Sequence, residues 1–139
     1  WAGMVSKMMT ILQEEAELNE IVRLVGVDAL SFKDRITLEC ARSIREDFLH
    51  QNSFHEVDTY TSLEKQHDMM KLILTWYDKA EAALEQHVHL DKLIDMPVRE
   101  EIGRMKYIPE KERVEKFGAI AKNLDAAFAA LTEGGELDA

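Results

Sequence analysis

The chain has 139 residues, of which 17 are Lys or Arg and 27 are Asp or Glu, so its formal net charge is −10. This length fits one domain with its own core, and the acidic balance argues against nucleic acid, whose phosphates require a basic surface. No apolar run reaches the ~18–20 residues that cross a bilayer, and no signal-peptide pattern opens the chain, so we expect a soluble protein.

The first predicted helix is amphipathic and runs to about Val25. Apolar residues recur along it at spacings of three and four, the period that places side chains on one face of a helix. They are Met4, Met8, Ile11, Leu12, Leu18, Val22 and Val25. Gly26 follows and is expected to end the helix, because glycine readily takes the positive φ found at helix C-termini.

The second predicted helix begins after Ser31 and ends near His50. The Ser31 hydroxyl is a typical N-cap, and Asp34 lies in the first turn, where an acid favours the helix dipole. Its apolar stripe is Ile36, Cys40, Ala41, Ile44 and Phe48. Because Cys40 is the single cysteine and lies on this stripe, we interpret it as a buried structural thiol and predict no catalytic nucleophile.

The segment 51–60 is an irregular loop that carries Phe54, Val57 and Tyr60, and such a use of aromatic and apolar residues indicates function. A third helix follows, capped by Thr61 or Ser62. Thr61 and Glu64 match the capping-box pattern. This helix reaches about Gln86, and its apolar residues cover more than one stripe, so we expect it to lie centrally in a bundle.

The rest of the chain predicts short helices at 89–96 and 98–105 and a last helix after Pro109. The last helix carries a narrow seam of Val114, Phe117, Ala121, Leu124, Phe128 and Leu131, and is expected to end at Gly134. The seam favours intramolecular core, although its spacing leaves a partner-helix surface open. The prediction is an all-α multi-helix bundle over residues 1–132, with about four main helices plus short helices, and an acidic flexible tail at 133–139.

Mixed charges fill residues 99–116, and their near neutrality predicts a solvated, salt-bridged face without a site. A di-metal bundle needs two Glu-x-x-His pairs, whereas only Glu64 with His67 matches. His55 begins no zinc motif, because the second histidine is absent at Thr59. No P-loop sequence occurs, so the chain is not expected to hold a triphosphate unaided. We predict no catalytic residue and no metal ligand.

Several blocks, in order, carry a family resemblance. They are LQEEAEL at 12–18, IVRLVG at 21–26, IREDFL at 44–49, QNSFHEVDTY at 51–60, LEKQ at 63–66, PVRE at 97–100 and RMKYIP at 104–109. Together they resemble the C-terminal domain of the catalytic A subunit of archaeal and vacuolar-type rotary ATPases. The resemblance covers nearly the whole chain, and implies that the chain is one domain of a larger subunit.

The resemblance implies a division of labour. An upstream P-loop domain would bind ATP or ADP with Mg in the intact subunit, while this helical domain closes on the nucleotide and contacts the rotating central stalk, coupling nucleotide state to ion transport. The fragment alone would bind no nucleotide and be inactive. The implied partners are central-stalk subunits and neighbouring B subunits, in a cytoplasmic head peripheral to the membrane.

Two sets of site residues follow from the resemblance. The turn Asp28, Ala29, Leu30, Ser31, Phe32, Lys33 and Asp34 occupies the position of the acidic stalk-facing turn in related subunits. Its Ala29, Phe32 and Lys33 replace expected acids, so its contact is expected to depend more on shape than on charge. Gln51, Asn52 and Phe54 occupy the position of a loop that lines the adenine pocket, where Phe54 would stack on the base. An ordinary helix–helix turn and a loop anchor remain the alternatives.

A different class of function also stays open at this point. Seven methionines and the seam of the last helix suit a free-standing helical adaptor that binds a partner helix. The two hypotheses differ in the encoding gene, which would place strand-rich and P-loop sequence before Trp1 only if the chain is part of a rotary ATPase.

Overall fold

The chain folds as a bundle of α-helices. A computed structural model describes residues 1–49 and 62–138, with side chains described as far as residue 132. The α-helices in these residues are α1 (Ala2–Val25), α2 (Phe32–Ser43), α3 (Leu63–Glu85), α4 (Leu90–Ile94), α5 (Val98–Arg104) and α6 (Arg113–Asp138). No β-strand occurs within the described part of the chain. The predicted all-α class is confirmed.

The connection between α1 and α2 follows from two local signals. Helix α1 ends at Gly26, whose φ of 94° lies in the left-handed region that glycine adopts without strain. A 3-10 turn, Val27–Ala29, comes next. The side chain of Ser31 then caps α2 by accepting a hydrogen bond from the backbone N–H of Asp34 at 3.1 Å. The predicted glycine stop and serine cap are both confirmed.

Helix α3 lies centrally and contacts α1, α2, α5 and α6. It runs antiparallel to α2, as two contacts show. The hydroxyl oxygens of Thr37 in α2 and Tyr77 in α3 lie 3.1 Å apart. Lys33, which precedes Thr37 in α2, has its Nζ 4.0 Å from Oε1 of Glu81, which follows Tyr77 in α3. Its buried apolar side chains are Met69, Met70, Leu72, Ile73, Leu74, Trp76, Tyr77, Ala80 and Ala83. The predicted central position of this helix is confirmed.

The apolar stripe predicted for the second helix faces the core, since Ile36, Cys40, Ala41, Ile44 and Phe48 are all buried. Burial raises the pKa of the Cys40 thiol to about 12, so the group stays protonated and unreactive at neutral pH. The interpretation of Cys40 as a structural thiol is confirmed.

The stripe of α1 is only partly buried. Met8, Ile11 and Leu18 lie in the core, whereas Val25 is 68% exposed. Including Val25 in the core face was therefore wrong. The chain turns at Gly26 directly after Val25 and leaves this side chain exposed.

Helix α2 continues as a π-helical segment, Ile44–Leu49, that leads to the end of the first described range. Lys106 Nζ donates to the carbonyl oxygen of Glu46 at 3.0 Å. The buried Lys65 of α3 donates in turn to the carbonyl oxygen of Lys106 at 2.8 Å. π-Helical turns often lie at functional sites, and this one is bonded to the chain that follows α5.

The start of α3 is capped by Ser62, one of the two caps predicted, but without the predicted capping box. Ser62, not Thr61, is the N-cap, and its hydroxyl accepts from the N–H of Lys65 at 3.0 Å. Glu64 is therefore one position too early to complete a capping box. Glu110 accepts from the N–H of Ser62 at 3.0 Å and from its hydroxyl at 2.9 Å. Burial raises the pKa of Glu110, but these two bonds together with the positive charges of Lys65 and Arg113 hold the pKa below its ordinary value.

Helices α4 and α5 fall within the short segments predicted from sequence. A 3-10 turn, Glu110–Glu112, separates Pro109 from α6. Helix α6 then passes through Gly134 to Asp138, so the predicted helix end at Gly134 is wrong. Glycine costs a helix about 1 kcal/mol but fits its geometry. The flexibility of the tail at 133–139 stays a prediction.

The seam of α6 packs inside the bundle. Phe117, Leu124 and Phe128 are buried, and α6 contacts α3 and α5, so the interpretation as intramolecular core is confirmed for these residues. Val114 is 76% exposed, so placing it on the buried seam was wrong. Ile120, which the seam omitted, is buried instead.

Candidate functional site

The α1–α2 connection exposes a group of apolar side chains, which we call the α1–α2 ridge: Leu24, Val25, Val27 and Phe32. Their exposed fractions are 73%, 68%, 42% and 63%. Single exposed apolar residues are common on proteins, but several together around one turn indicate a contact surface. The sequence analysis did not predict Leu24 and Val25 as site residues. The signal that could have identified them is that apolar residues continue up to the end of the helix.

The structure places the seven residues of the predicted stalk-facing turn on or beside this ridge. Asp28, Ala29, Ser31, Phe32 and Lys33 are exposed, and Asp34 is partly buried in the first turn of α2. Leu30 is buried, with 8% of its surface exposed, so it anchors the turn and does not present a side chain outward.

An open groove of about 740 Å³ lies beside the ridge. Phe32 and Lys33 form part of its lining, and the residues that follow α3, including His87 and His89, form another part. His87 has a φ of 66°, the left-handed value that ends α3. The groove gives a partner side chain room to enter next to the exposed ring of Phe32.

A buried arginine ties the ends of several helices together; we call Arg99 and its partners the Arg99 clamp. Arg99 Nη1 donates to Glu39 Oε1 at 2.7 Å and to the carbonyl oxygen of Ile94 at 3.1 Å. Nη2 donates to Ser43 Oγ at 3.1 Å and to the Glu39 carbonyl oxygen at 3.3 Å. The guanidinium lies 4.5 Å from the ring centroid of Trp76. One side chain thus joins α2, α3, α4 and α5.

The clamp corrects the prediction that residues 99–116 form a solvated face. Only 10% of the Arg99 side chain is exposed. It lies between the buried Val98 and Ile102 in sequence, so the start of α5 directs it inward. A count of alternating charges gives no information about which charge faces the core.

A second ion pair joins α1 to the π-helical segment. Arg45 Nε lies 3.1 and 3.0 Å from the two carboxylate oxygens of Glu15, and Arg45 Nη2 lies 2.6 Å from Glu15 Oε2. The Glu15 side chain is 11% exposed. Two-pronged pairs of this kind fix orientation as well as distance, so α1 and the segment after α2 are held in a defined register.

The predicted nucleotide-facing residues Gln51, Asn52 and Phe54 lie outside the described residues. The structure fixes the two ends of their loop: Leu49 closes the π-helical segment, and Ser62 is bonded to Glu110. Both ends are therefore connected directly to packed helices.

No group of three or more His, Cys, Asp and Glu side chains within 1–49 and 62–132 is arranged to hold a metal ion. His67, the histidine of the Glu-x-x-His match, stacks on Trp1 with ring centroids 5.7 Å apart. None of the described helices is both long enough and apolar enough to cross a membrane.

These observations define an interaction domain: a helical bundle fixed by the Arg99 clamp and the Glu15–Arg45 pair, with an apolar ridge where α1 meets α2. Residues 1–94 match the sequence model of the family described as the C-terminal domain of V and A type ATP synthase.

Relatives in three bacteria bear the name V-type ATP synthase alpha chain. The chain is 60% identical to that of Acetivibrio thermocellus over 131 residues, covering 94% of this chain and 22% of the relative. It is 55% identical to that of Thermoanaerobacter pseudethanolicus over 139 residues, covering 100% and 23%. The identity is 51% over 140 residues for Clostridium botulinum strain Langeland, covering 100% and 24%. The chain belongs to this family and spans less than a quarter of the length of these relatives.

Proposed function

We propose that this domain couples the nucleotide state of a rotary ATPase catalytic subunit to rotation of a central stalk, and through it to ion transport. The observation that carries the proposal is the α1–α2 ridge, an exposed apolar surface where the end of α1 meets the turn 28–34, on a member of the ATP synthase C-terminal domain family. The turn carries charges of opposite sign, from Asp28, Asp34 and Lys33, beside the apolar residues. Because these charges partly cancel, the stalk contact depends on shape more than on charge.

The long first helix and the ion pairs between helices suit the bundle to transmit a rotation from one end to the other. Helix α1 has 24 residues, which at 1.5 Å per residue span about 36 Å. The Arg99 clamp and the Glu15–Arg45 pair join α1, α2, α3 and α5, and such cross-links let a bundle turn as one body. A small rotation at one end of the bundle then displaces the ridge at the other.

The nucleotide side of the proposal concerns the loop of Gln51, Asn52 and Phe54. An upstream P-loop domain of the same subunit holds ATP or ADP with Mg, and the loop closes on the adenine from the other side. Stacking of an aromatic side chain on a base contributes roughly 1–3 kcal/mol. The isolated domain binds no nucleotide. Its partners are central-stalk subunits and neighbouring B subunits in the cytoplasmic head.

The alternative of a free-standing adaptor has less support. The seam of α6, its proposed docking surface, is occupied within the bundle by Phe117, Leu124 and Phe128. The relatives also carry this region as a minor part of a much longer chain.

Two sets of substitutions in the assembled complex separate the two ends of the domain. Val25→Asp with Phe32→Asp places charges in an apolar contact, which is strongly unfavourable; we expect ion transport per ATP hydrolysed to fall several-fold while nucleotide affinity stays unchanged.

Phe54→Ala is expected to weaken ATP binding by roughly 5–150-fold, the equivalent of the stacking energy. Hydrolysis, ion transport and nucleotide binding are measured on the same preparations.

Met9→Asp is the matched control, because Met9 is 49% exposed on α1 outside both regions, and it should change neither quantity. Normal transport with the double Asp variant would remove the ridge from the stalk contact. Normal ATP affinity with Phe54→Ala would remove Phe54 from the adenine pocket.

A further inference from the structure

We propose that the segment 105–112, which joins α5 to α6, holds both ends of the stretch 50–61 and thereby positions the nucleotide contact of that stretch. We call this segment the 105–112 strap, and its positioning residues are Lys106 and Glu110. The inference rests on the proposed function in one respect, namely that residues 51–54 meet the adenine.

The first end of the stretch is held by Lys106. Its ammonium group donates to the carbonyl oxygen of Glu46 at 3.0 Å, inside the π-helical segment Ile44–Leu49 that leads into the stretch. The carbonyl oxygen of Lys106 accepts in turn from the ammonium group of Lys65 at 2.8 Å, and Lys65 is only 2% exposed. A buried ammonium requires acceptors, because leaving such a charge unpaired is costly. This bond therefore ties the backbone of the strap to α3.

The second end of the stretch is held by Glu110. Its carboxylate accepts from the N–H of Ser62 at 3.0 Å and from the hydroxyl of Ser62 at 2.9 Å, with a different oxygen in each bond. Hydrogen bonds to a carboxylate are about twice as strong as neutral ones, and a two-pronged pair fixes direction as well as distance. Arg113 Nε lies 3.8 Å from the same carboxylate, and its Nη1 lies 2.6 Å from Asp68 of α3. Glu110 is thus oriented from the bundle.

The strap itself is fixed at its base and in its middle. Met105, its first residue, is fully buried. Pro109 lies between the two 3-10 turns of the strap and has a φ of −64°, which its ring enforces. The strap follows directly on α5, which the Arg99 clamp joins to α2. One element thus sets the separation of the two ends, and fixed ends lower the entropy cost of ordering the chain between them.

Helix capping alone does not account for these bonds. The cap of α3 needs only the hydroxyl of Ser62, which accepts from the N–H of Lys65 at 3.0 Å. The strap contacts two further backbone groups, the N–H of Ser62 and the carbonyl oxygen of Glu46. These groups lie on opposite sides of the stretch 50–61, which is the arrangement that a positioning role requires.

Hydrogen exchange of the intact subunit without nucleotide tests the strap. Glu110→Ala removes both acceptors, and we expect the amide of Ser62 to exchange at least about tenfold faster, since protection follows the hydrogen bond. Glu110→Gln keeps an oxygen for that amide and should restore most of the protection. Glu112→Ala is the matched control, because it removes the same charge from the same 3-10 turn and leaves both bonds to Ser62 in place. Exchange is read at single residues by fragmentation mass spectrometry.

Binding of ATP and of inorganic tripolyphosphate to the assembled complex tests the positioning role. Glu110→Ala and Lys106→Met are each expected to weaken ATP binding about 3–10-fold, a part of the loss expected for Phe54→Ala. Tripolyphosphate carries no base, so its affinity should stay unchanged. Glu110→Ala combined with Phe54→Ala should lose less than about twofold beyond Phe54→Ala alone, because both act on one contact. Lys111→Met, at an exposed position of the strap, is the control for Lys106→Met.

The possible failures are distinct. Unchanged exchange of the Ser62 amide in Glu110→Ala overturns the strap. Equal losses for ATP and tripolyphosphate indicate general damage and overturn the positioning role, as does normal ATP affinity in both strap variants while Phe54→Ala weakens binding. Normal affinity with Phe54→Ala is instead a failure of the proposed adenine contact, and it removes the positioning role while the exchange measurement still decides on the strap.

Discussion

Replacing Arg99 with methionine is expected to lower the free energy of unfolding by about 2–4 kcal/mol. The substitution keeps much of the aliphatic bulk but removes four hydrogen bonds, two of them to Glu39. The Glu39 side chain, 20% exposed, then loses its closest cationic partner. Removing one member of a largely buried ion pair costs more than the pair itself contributes, because the remaining charge is left poorly solvated.

Arg42→Met is the control for this experiment, since Arg42 contacts the same Glu39 oxygen at 3.2 Å but is 51% exposed. Exposed pairs contribute roughly 0–1 kcal/mol, so this variant should unfold almost like the parent. Urea unfolding followed by circular dichroism measures both. Equal losses for the two variants would show that burial of Arg99 has no special weight in the stability of the bundle.

Replacing Trp76 with alanine is expected to cost about 3–5 kcal/mol, the usual range for emptying a large buried aromatic site. Trp76 is 1% exposed and lies in the central helix. Its ring also supports the guanidinium of Arg99. Because the two residues touch, the double substitution of Arg99 and Trp76 should cost less than the two single losses together.

Trp76→Phe refines this prediction. Among the described residues, the buried Nε1–H of Trp76 has no hydrogen-bond acceptor, and leaving a buried donor unpaired costs about 1–3 kcal/mol. Phenylalanine removes that donor and keeps a ring beneath Arg99, so we expect less than half of the alanine loss. Trp1→Ala, at a site 53% exposed, serves as the control. A phenylalanine variant as unstable as the alanine variant contradicts this account of the site.

Local signals in the sequence predicted most helix ends. Gly26 and Ser31 act on their own neighbours in the chain, so a stop and a cap could be assigned without knowledge of the fold. The cap of α3 shows the limit of this approach. The N–H of Ser62 donates a hydrogen bond to Glu110, 48 positions away. A local sequence pattern predicts Glu64 as the acceptor and cannot reveal so distant a partner.

The errors in the core prediction have the same origin. Val25 and Val114 satisfy helical periodicity, but periodicity shows which residues share a face and not how far the neighbouring helix extends. Arg99 fails in the opposite direction, because a charge at the start of a short helix was assumed to be solvated. In both cases burial or exposure of the side chain depends on elements that are distant in the sequence.

The role of the turn 28–34 as a stalk contact, which the family resemblance implied, stays a prediction. Asp28, Ala29, Ser31, Phe32 and Lys33 of that turn are exposed, Asp34 is partly buried and Leu30 is buried. The resemblance pointed to the turn alone, whereas the structure adds Leu24 and Val25 from the end of α1. An apolar surface formed by two helix ends cannot be read from one segment.

The most direct test of the account is a distance measurement at the ridge. A dye on Leu24→Cys and a second dye on the central stalk are placed in the assembled complex, with one labelled copy of the subunit, and single-molecule energy transfer is recorded with the catalytic site empty and occupied. A second pair, at Leu24→Cys and Lys116→Cys, reports on the bundle itself.

We expect the distance from ridge to stalk to change with nucleotide while the distance within the bundle stays constant, because the domain moves as one body. A ridge-to-stalk distance that is the same with and without nucleotide would contradict the proposal that this domain carries the nucleotide state to the stalk.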